Sequence, residues 1–239
     1  MDELNAQLFS KRREQKQCFK QFREVLRLII FCYREKIRQG DAVSLSKIRE
    51  ETGITPEDYL KYRLVEDYLR KYKRLFPAIA HLYFLPETGE YDAKKEKERF
   101  NDITVYAITV GRAWKLSDGH DDEDYYFSFE CKRLRDLGKN QFYIDQGIMR
   151  YVGNAYAGAM PFAGMIGFVE KGDIVRIKDD INLRLSKLNI SEELTTIEFL
   201  RFFKVEEAFE FSYSSRHERV QNSPIALHHL FLDYSSLLF

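Results

Sequence analysis

Tyr125-Tyr126-Phe127-Ser128-Phe129-Glu130-Cys131-Lys132-Arg133 reads as a β-strand, because aromatic residues crowd it and its polarity alternates. Successive strand side chains point to opposite faces. Phe127, Phe129 and Cys131 therefore share one face, and Ser128, Glu130 and Lys132 the other. An acid and an amine two residues apart project from one side of a sheet whose other side is apolar. A half-exposed strand with a surface ion pair has the same pattern. Upstream, the run from Asp102 to Val110 is also strand-like and opens on a second carboxylate, Asp102.

An Asp, a β-hairpin and then Glu-x-Lys resembles the PD-(D/E)XK nuclease superfamily, the restriction-endonuclease-like fold, over roughly residues 95–170. The resemblance implies that Asp102 and Glu130 bind magnesium, with manganese as substitute, joined by the backbone carbonyl of Cys131. Lys132 would orient the attacking water and offset charge in the transition state. Two carboxylates on adjoining strands suit magnesium, a hard cation that takes oxygen ligands and keeps several waters. Two departures stand out. Asn101 rather than Pro precedes Asp102, and the long spacer before Glu130 requires an extended hairpin tip. The resemblance further implies a Glu on the helix before the first strand, for which Glu66 is the nominee. It also implies a helix beside the site. Phe142 to Val152 is amphipathic and fits that helix, with Gln146 and Arg150 one turn apart on a shared face and aimed at water or phosphate. The expected activity is metal-dependent hydrolysis of nucleic acid, with DNA as substrate. A restriction or phage-defence setting is implied by resemblance alone, with a second copy of the chain or a defence protein as partner.

The rest of the chain fits an α/β fold, a mixed sheet flanked by helices, with an N-terminal helical segment at 1–76 and the nuclease domain at 77–239. A chain of 239 residues can bury a full core, and 44% hydrophobic with 32% charged residues argues against disorder. The start of the chain is polar, no apolar run approaches membrane-spanning length, and Cys18, Cys32 and Cys131 fit no zinc-ligand spacing. These features point to a reducing cytoplasm. The zero net charge argues against indiscriminate polyanion binding by the whole surface.

Residues 1–40 read as one long helix, apolar at Phe19, Phe22, Leu26, Ile29, Ile30, Tyr33 and Ile37, with Gly40 as its cap. Between residues 11 and 38 its other face sets ten basic residues against three acids. Arg12, Arg13, Lys16 and Lys20 are its candidate phosphate contacts; a solvated helix face is the alternative. Ser44 to Asp58 looks like a helix-turn-helix built on Gly53 and a Thr55 cap, but its second helix starts Pro56-Glu57-Asp58. That start is too acidic for base reading, so a structural helical hairpin is expected. Ala78–Leu85 is an apolar segment, Pro86-Glu87-Thr88-Gly89 a turn, and Lys94–Arg99 a solvated loop. Ser117–Asp124 is an acidic tip without EF-hand alternation, and its Asp124 is a weaker rival to Asp102. Ala163–Val169 is a buried central strand whose glycines admit a neighbouring helix backbone. Asp173–Ile190 is helical, and strands follow at Glu198–Phe203, Ala208–Tyr213 and Ile225–Tyr234. Ser215, His217, His228, His229 and Asp233 allow a Ser-His-Asp set to be drawn, but no nucleophile elbow supports it. Polar strand-end residues flanking a substrate groove are the expected role.

Overall fold

The computed structural model describes residues 2–92, 97–106, 126–135, 137–153, 160–219 and 223–239. The chain is an α/β fold built on a seven-stranded mixed sheet in the order β1-β2-β3-β4-β7-β6-β5. The strands are β1 (Tyr83–Asp92), β2 (Lys97–Tyr106), β3 (Tyr126–Leu134), β4 (Phe162–Val169), β5 (Thr196–Phe202), β6 (Ser212–His217) and β7 (Ile225–Asp233). The first three form an antiparallel meander; β3, β4 and β7 are parallel; β6 and β5 complete the sheet antiparallel. Among the described residues no helix is long and apolar enough to cross a membrane.

The alternation of β3 decides which layer covers which face. Phe127, Phe129 and Cys131 are fully buried. Helix α1 (Asp2–Gln39) covers that side with the apolar stripe its sequence carries. Phe22 stacks on Phe129 at 5.5 Å, meets Phe127 edge-on at 5.4 Å and touches Phe162 at 4.8 Å. Burying such a ring is worth about 1.5–3 kcal/mol, so this aromatic cluster anchors α1. The apolar core is continuous from Cys18 to Leu237 and runs across residue 76 without a break. Gly40, at φ 62°, ends α1 in the left-handed region that glycine tolerates.

The helical hairpin is α2 (Leu45–Thr52) and α3 (Pro56–Arg63), joined at Gly53. Thr55 caps α3 by accepting from the Asp58 N–H at 3.2 Å. The helix runs on through a π turn (Leu64–Leu69) and α4 (Arg70–Tyr72). The opposite face of β3 is covered by α5 (Asn140–Tyr143), a π turn (Ile144–Ile148) and α6 (Met149–Val152). Helix α7 (Ile174–Ile190) is capped by Asp173, whose carboxylate accepts from the Val175 and Arg176 N–H groups. Two turns apart on α7, Asn182 and Asn189 bond both peptide groups of Leu200 and of Thr196 in the edge strand β5.

Several expectations change. The stretch Pro86–Gly89 is not a turn: β1 runs through it and pairs with β2 on either side of Glu87. Strand β2 starts at Lys97, so Asp102 lies inside it rather than opening it, and Lys97–Arg99 are strand, not loop. Residues 107–125, which hold the acidic tip and Asp124, lie outside the described residues. The glycines of β4 make room for side chains, not for a helix backbone. A Cβ on Gly164 would overlap the Phe129 ring, and one on Gly167 would crowd Leu134 and Phe231. The sixth strand starts at Ser212 rather than Ala208.

Candidate active site at a fork between two strands

Among the described residues, strands β2 and β3 pair from Tyr106↔Tyr126 to Ile103↔Phe129. Beyond Ile103 the ladder opens, and the freed β3 amides need other acceptors. The Cys131 N–H donates to Asp102 Oδ2 at 2.7 Å, and the Arg133 N–H donates to Glu57 Oε2 at 3.1 Å. Two carboxylates thus replace the missing strand.

Register explains the rest. One step past the last pair, Asp102 lies across from Glu130, and the β1–β2 ladder sets Glu87 across from Asp102. Three carboxylates therefore stand in a row across three strands, an arrangement that repels itself without cations between its members. Lys61, from α3, bridges the first two: its Nζ donates to Glu87 Oε1 at 2.8 Å, Asp102 Oδ1 at 3.3 Å and Asp58 Oδ1 at 2.9 Å. Lys132 bridges the second pair, with Nζ 3.4 Å from Asp102 Oδ2 and 2.9 Å from Glu130 Oε1. The same ammonium donates to Cys131 O at 2.7 Å and Glu57 Oε1 at 3.1 Å. Arg150 closes the row, its guanidinium 2.5 Å from Glu130 Oε1 and 3.3 Å from Gln146 Oε1.

Burial sets the electrostatics. Glu130 is fully buried, and desolvation, reinforced by the Asp102 charge, pushes its carboxyl up to about 8. Burial pulls the Lys132 and Lys61 ammoniums down, but the carboxylates around them, Asp102 foremost, outweigh it and hold both well above the ordinary lysine range. Both lysines therefore stay charged.

The expected residues Asp102, Glu130, Lys132, Gln146 and Arg150 are brought together, and the Cys131 carbonyl faces the same point. Arg150 is turned onto Glu130. Glu66 is not part of the site: it pairs with Arg70 on the surface. Glu57, one residue into α3, reaches Lys132 instead. The acidic start of α3, which had only argued against base reading, was the available signal for Glu57 and Asp58. Lys61 and Glu87 carried none. The basic face of α1 lies on the far side of the sheet, and much of it is used internally: Arg27 and Arg38 pair with Glu24 and Glu35, Arg34 with Glu206, and buried Lys36 with Asp41. Arg13, Lys16 and Lys20 are exposed; the side chain of Arg12 lies outside the described residues.

Nor do the Ser-His residues flank a groove. Thr196, His217, Ser215, His229 and Tyr143 are all buried and form one chain of hydrogen bonds, with steps of 3.1, 2.8, 2.8 and 2.8 Å. Among the described residues no acid joins this chain, and Ser215 is walled in between two imidazoles.

Among the described residues no three His, Cys, Asp or Glu side chains form a ready-made metal-ligand group. Two carboxylates and a carbonyl nevertheless meet at one point already held by a positive charge. Glu130 Oε2, moreover, is buried without a hydrogen-bond partner. A hard cation that accepts oxygen donors fits this set. No protein-family model, no curated protein and no solved structure matches this chain.

Proposed function

We propose that the chain is a metal-dependent nuclease that hydrolyses phosphodiester bonds of nucleic acid, with DNA as its substrate, at the β2–β3 fork. The observation that carries this reading is the meeting of Asp102, Glu130 and the Cys131 carbonyl around the Lys132 ammonium, all within 3.4 Å of Nζ. The surrounding order supports it too: a helix carrying a carboxylate, an antiparallel meander, a helix against the site and a parallel strand. That order is compatible with the restriction-endonuclease-like arrangement that the sequence resemblance implies.

Asp102, Glu130 and the Cys131 carbonyl would hold magnesium or manganese, which when bound polarises the phosphate and acidifies a water. Lys132 supplies positive charge where negative charge builds on the phosphoryl oxygens. Glu57 and Arg150, from two different helices, pair with that lysine and with Glu130 in the free chain. Gln146 braces Arg150.

The test offers wild-type protein and Lys132→Ala single- and double-stranded DNA and RNA with magnesium or manganese. Cleavage by the wild type alone, with both proteins folded, supports the reading. A wild type that cleaves none of the four substrates, with a variant that only melts earlier, favours a second reading. In that reading the fork is a structural ion-pair lattice, as its closure by Lys61 and Arg150 allows, and the chain is a non-catalytic binding or interaction module.

A further inference from the structure

Resting on the nuclease reading, we propose that Lys132 is a built-in cation that fills the divalent-metal position of the fork in the free chain and leaves it when the metal binds. The lysine and the metal then exchange rather than coexist at that point.

The first argument is a count of donors. An ammonium has three protons. Lys132 Nζ is faced by four oxygens from α3, β2 and β3: Cys131 O at 2.7 Å, Glu130 Oε1 at 2.9 Å, Glu57 Oε1 at 3.1 Å and Asp102 Oδ2 at 3.4 Å. One acceptor is always unserved. A divalent ion with six or more oxygen ligands has no such limit.

The second argument is an orphan. Glu130 Oε2 is buried and has no hydrogen-bond partner among the described residues. Lys132 and Arg150 both bind the other oxygen, Oε1. A pocket completed by an ammonium alone would leave no carboxylate oxygen empty.

Charge is the third. Among the described residues, the cations paired with Glu57, Asp58, Glu87, Asp102 and Glu130 are Lys61, Lys132 and Arg150. The lattice is short of positive charge by one divalent ion when all five acids are ionised.

Lys61 differs from Lys132: it holds the other oxygen of Asp102 and stays in the exchange as a fixed countercharge.

The test uses the wild-type protein. Its Lys132 side chain is 5% exposed, so an acylating reagent read by mass spectrometry should spare it in chelator. Saturating magnesium should raise its labelling by about tenfold or more, with Lys61 unchanged as internal reference. In parallel, manganese binding is followed by electron paramagnetic resonance. Lys132→Met should bind about tenfold more tightly, since one competing charge is gone, and Glu130→Gln should not bind. If manganese binds the wild type while Lys132 labelling stays flat and Lys132→Met binds no tighter, the exchange is wrong and the nuclease reading stands. If neither wild type nor Lys132→Met binds the metal, the nuclease reading falls and the exchange with it.

Discussion

Lowering the pH from 7 to 4.5 should strongly destabilise this protein, and the histidines should be the reason. Burial depresses His217 to about 3 and His228 to about 4, and it carries His229 well below the ordinary imidazole range. Each is neutral in the fold and titrates near pH 6.5 once unfolded. The stability they represent is fully present above pH 6.5 and lost as the pH falls toward their folded values. Glu130 works in the opposite sense: its carboxyl, raised to about 8 by burial, takes a proton on folding throughout this window. Three protons favour the unfolded chain and one favours the folded chain, so the net slope is two protons. That is about 3 kcal/mol per pH unit between roughly pH 6 and 4.5. Over that one and a half units the loss comes to about 4 kcal/mol, most of a native stability at the low end of about 5–15 kcal/mol. Urea denaturation at half-unit pH intervals, in chelator, measures the slope directly. His228→Leu should lower it by one proton without costing stability at pH 7.5. Both His228 nitrogens are buried without partners among Phe19, Phe22 and Phe203. A flat profile between pH 6.5 and 4.5, or a His228→Leu slope equal to that of the wild type, would refute the reasoning.

Ser215→Ala should cost about 2–4 kcal/mol in denaturant, because it strips a partner from both His217 and His229 inside the core; a loss below 0.5 kcal/mol, roughly the level of a surface substitution, would mean the chain of hydrogen bonds contributes nothing. Glu57→Gln keeps an oxygen for the Arg133 N–H but removes a charge from Lys132. Single-turnover cleavage should fall about tenfold with stability changed by less than about 1 kcal/mol, and an unchanged rate would take Glu57 out of the site. Replacing Arg13, Lys16 and Lys20 together with Ala should weaken binding of long nucleic acid and flatten its salt dependence. Cleavage of a short oligonucleotide should be untouched, since these residues face away from the fork; salt titrations that superimpose on those of the wild type would return α1 to a solvated face.

What the sequence reveals follows from how local each signal is. The two faces of β3 were legible because strand alternation is a property of neighbouring residues, and α1 was legible because its stripe repeats every three to four. Asp102 and Glu130 were legible as a pair through a resemblance that supplies the long-range contact. Glu57 was not: it meets Lys132 across 75 residues, and nothing near Pro56-Glu57-Asp58 names the cation that answers its charge. Pro86-Glu87-Thr88-Gly89 has turn composition, yet β2 pairs along it, and Glu87 takes a φ of 50° while Lys61 and Tyr62 hold its carboxylate. Tertiary pairing overrode local preference there. The histidines read as polar strand ends for the same reason. Only the fold shows that Ser215 joins His217 to His229 inside the core.

The two asparagines on α7 carry a consequence for how copies of this protein meet. A sheet that ends in an exposed strand invites another molecule to continue it, and β5 looks inviting, with Ile197, Phe199 and Phe202 open to solvent. Its peptide groups at Thr196 and Leu200 are already engaged, since Asn182 and Asn189 each present an amide that mimics a neighbouring strand's backbone. The molecule supplies its own terminating partner. At these two positions a further strand can pair only by displacing an asparagine, so the margin that looks most inviting is guarded from within.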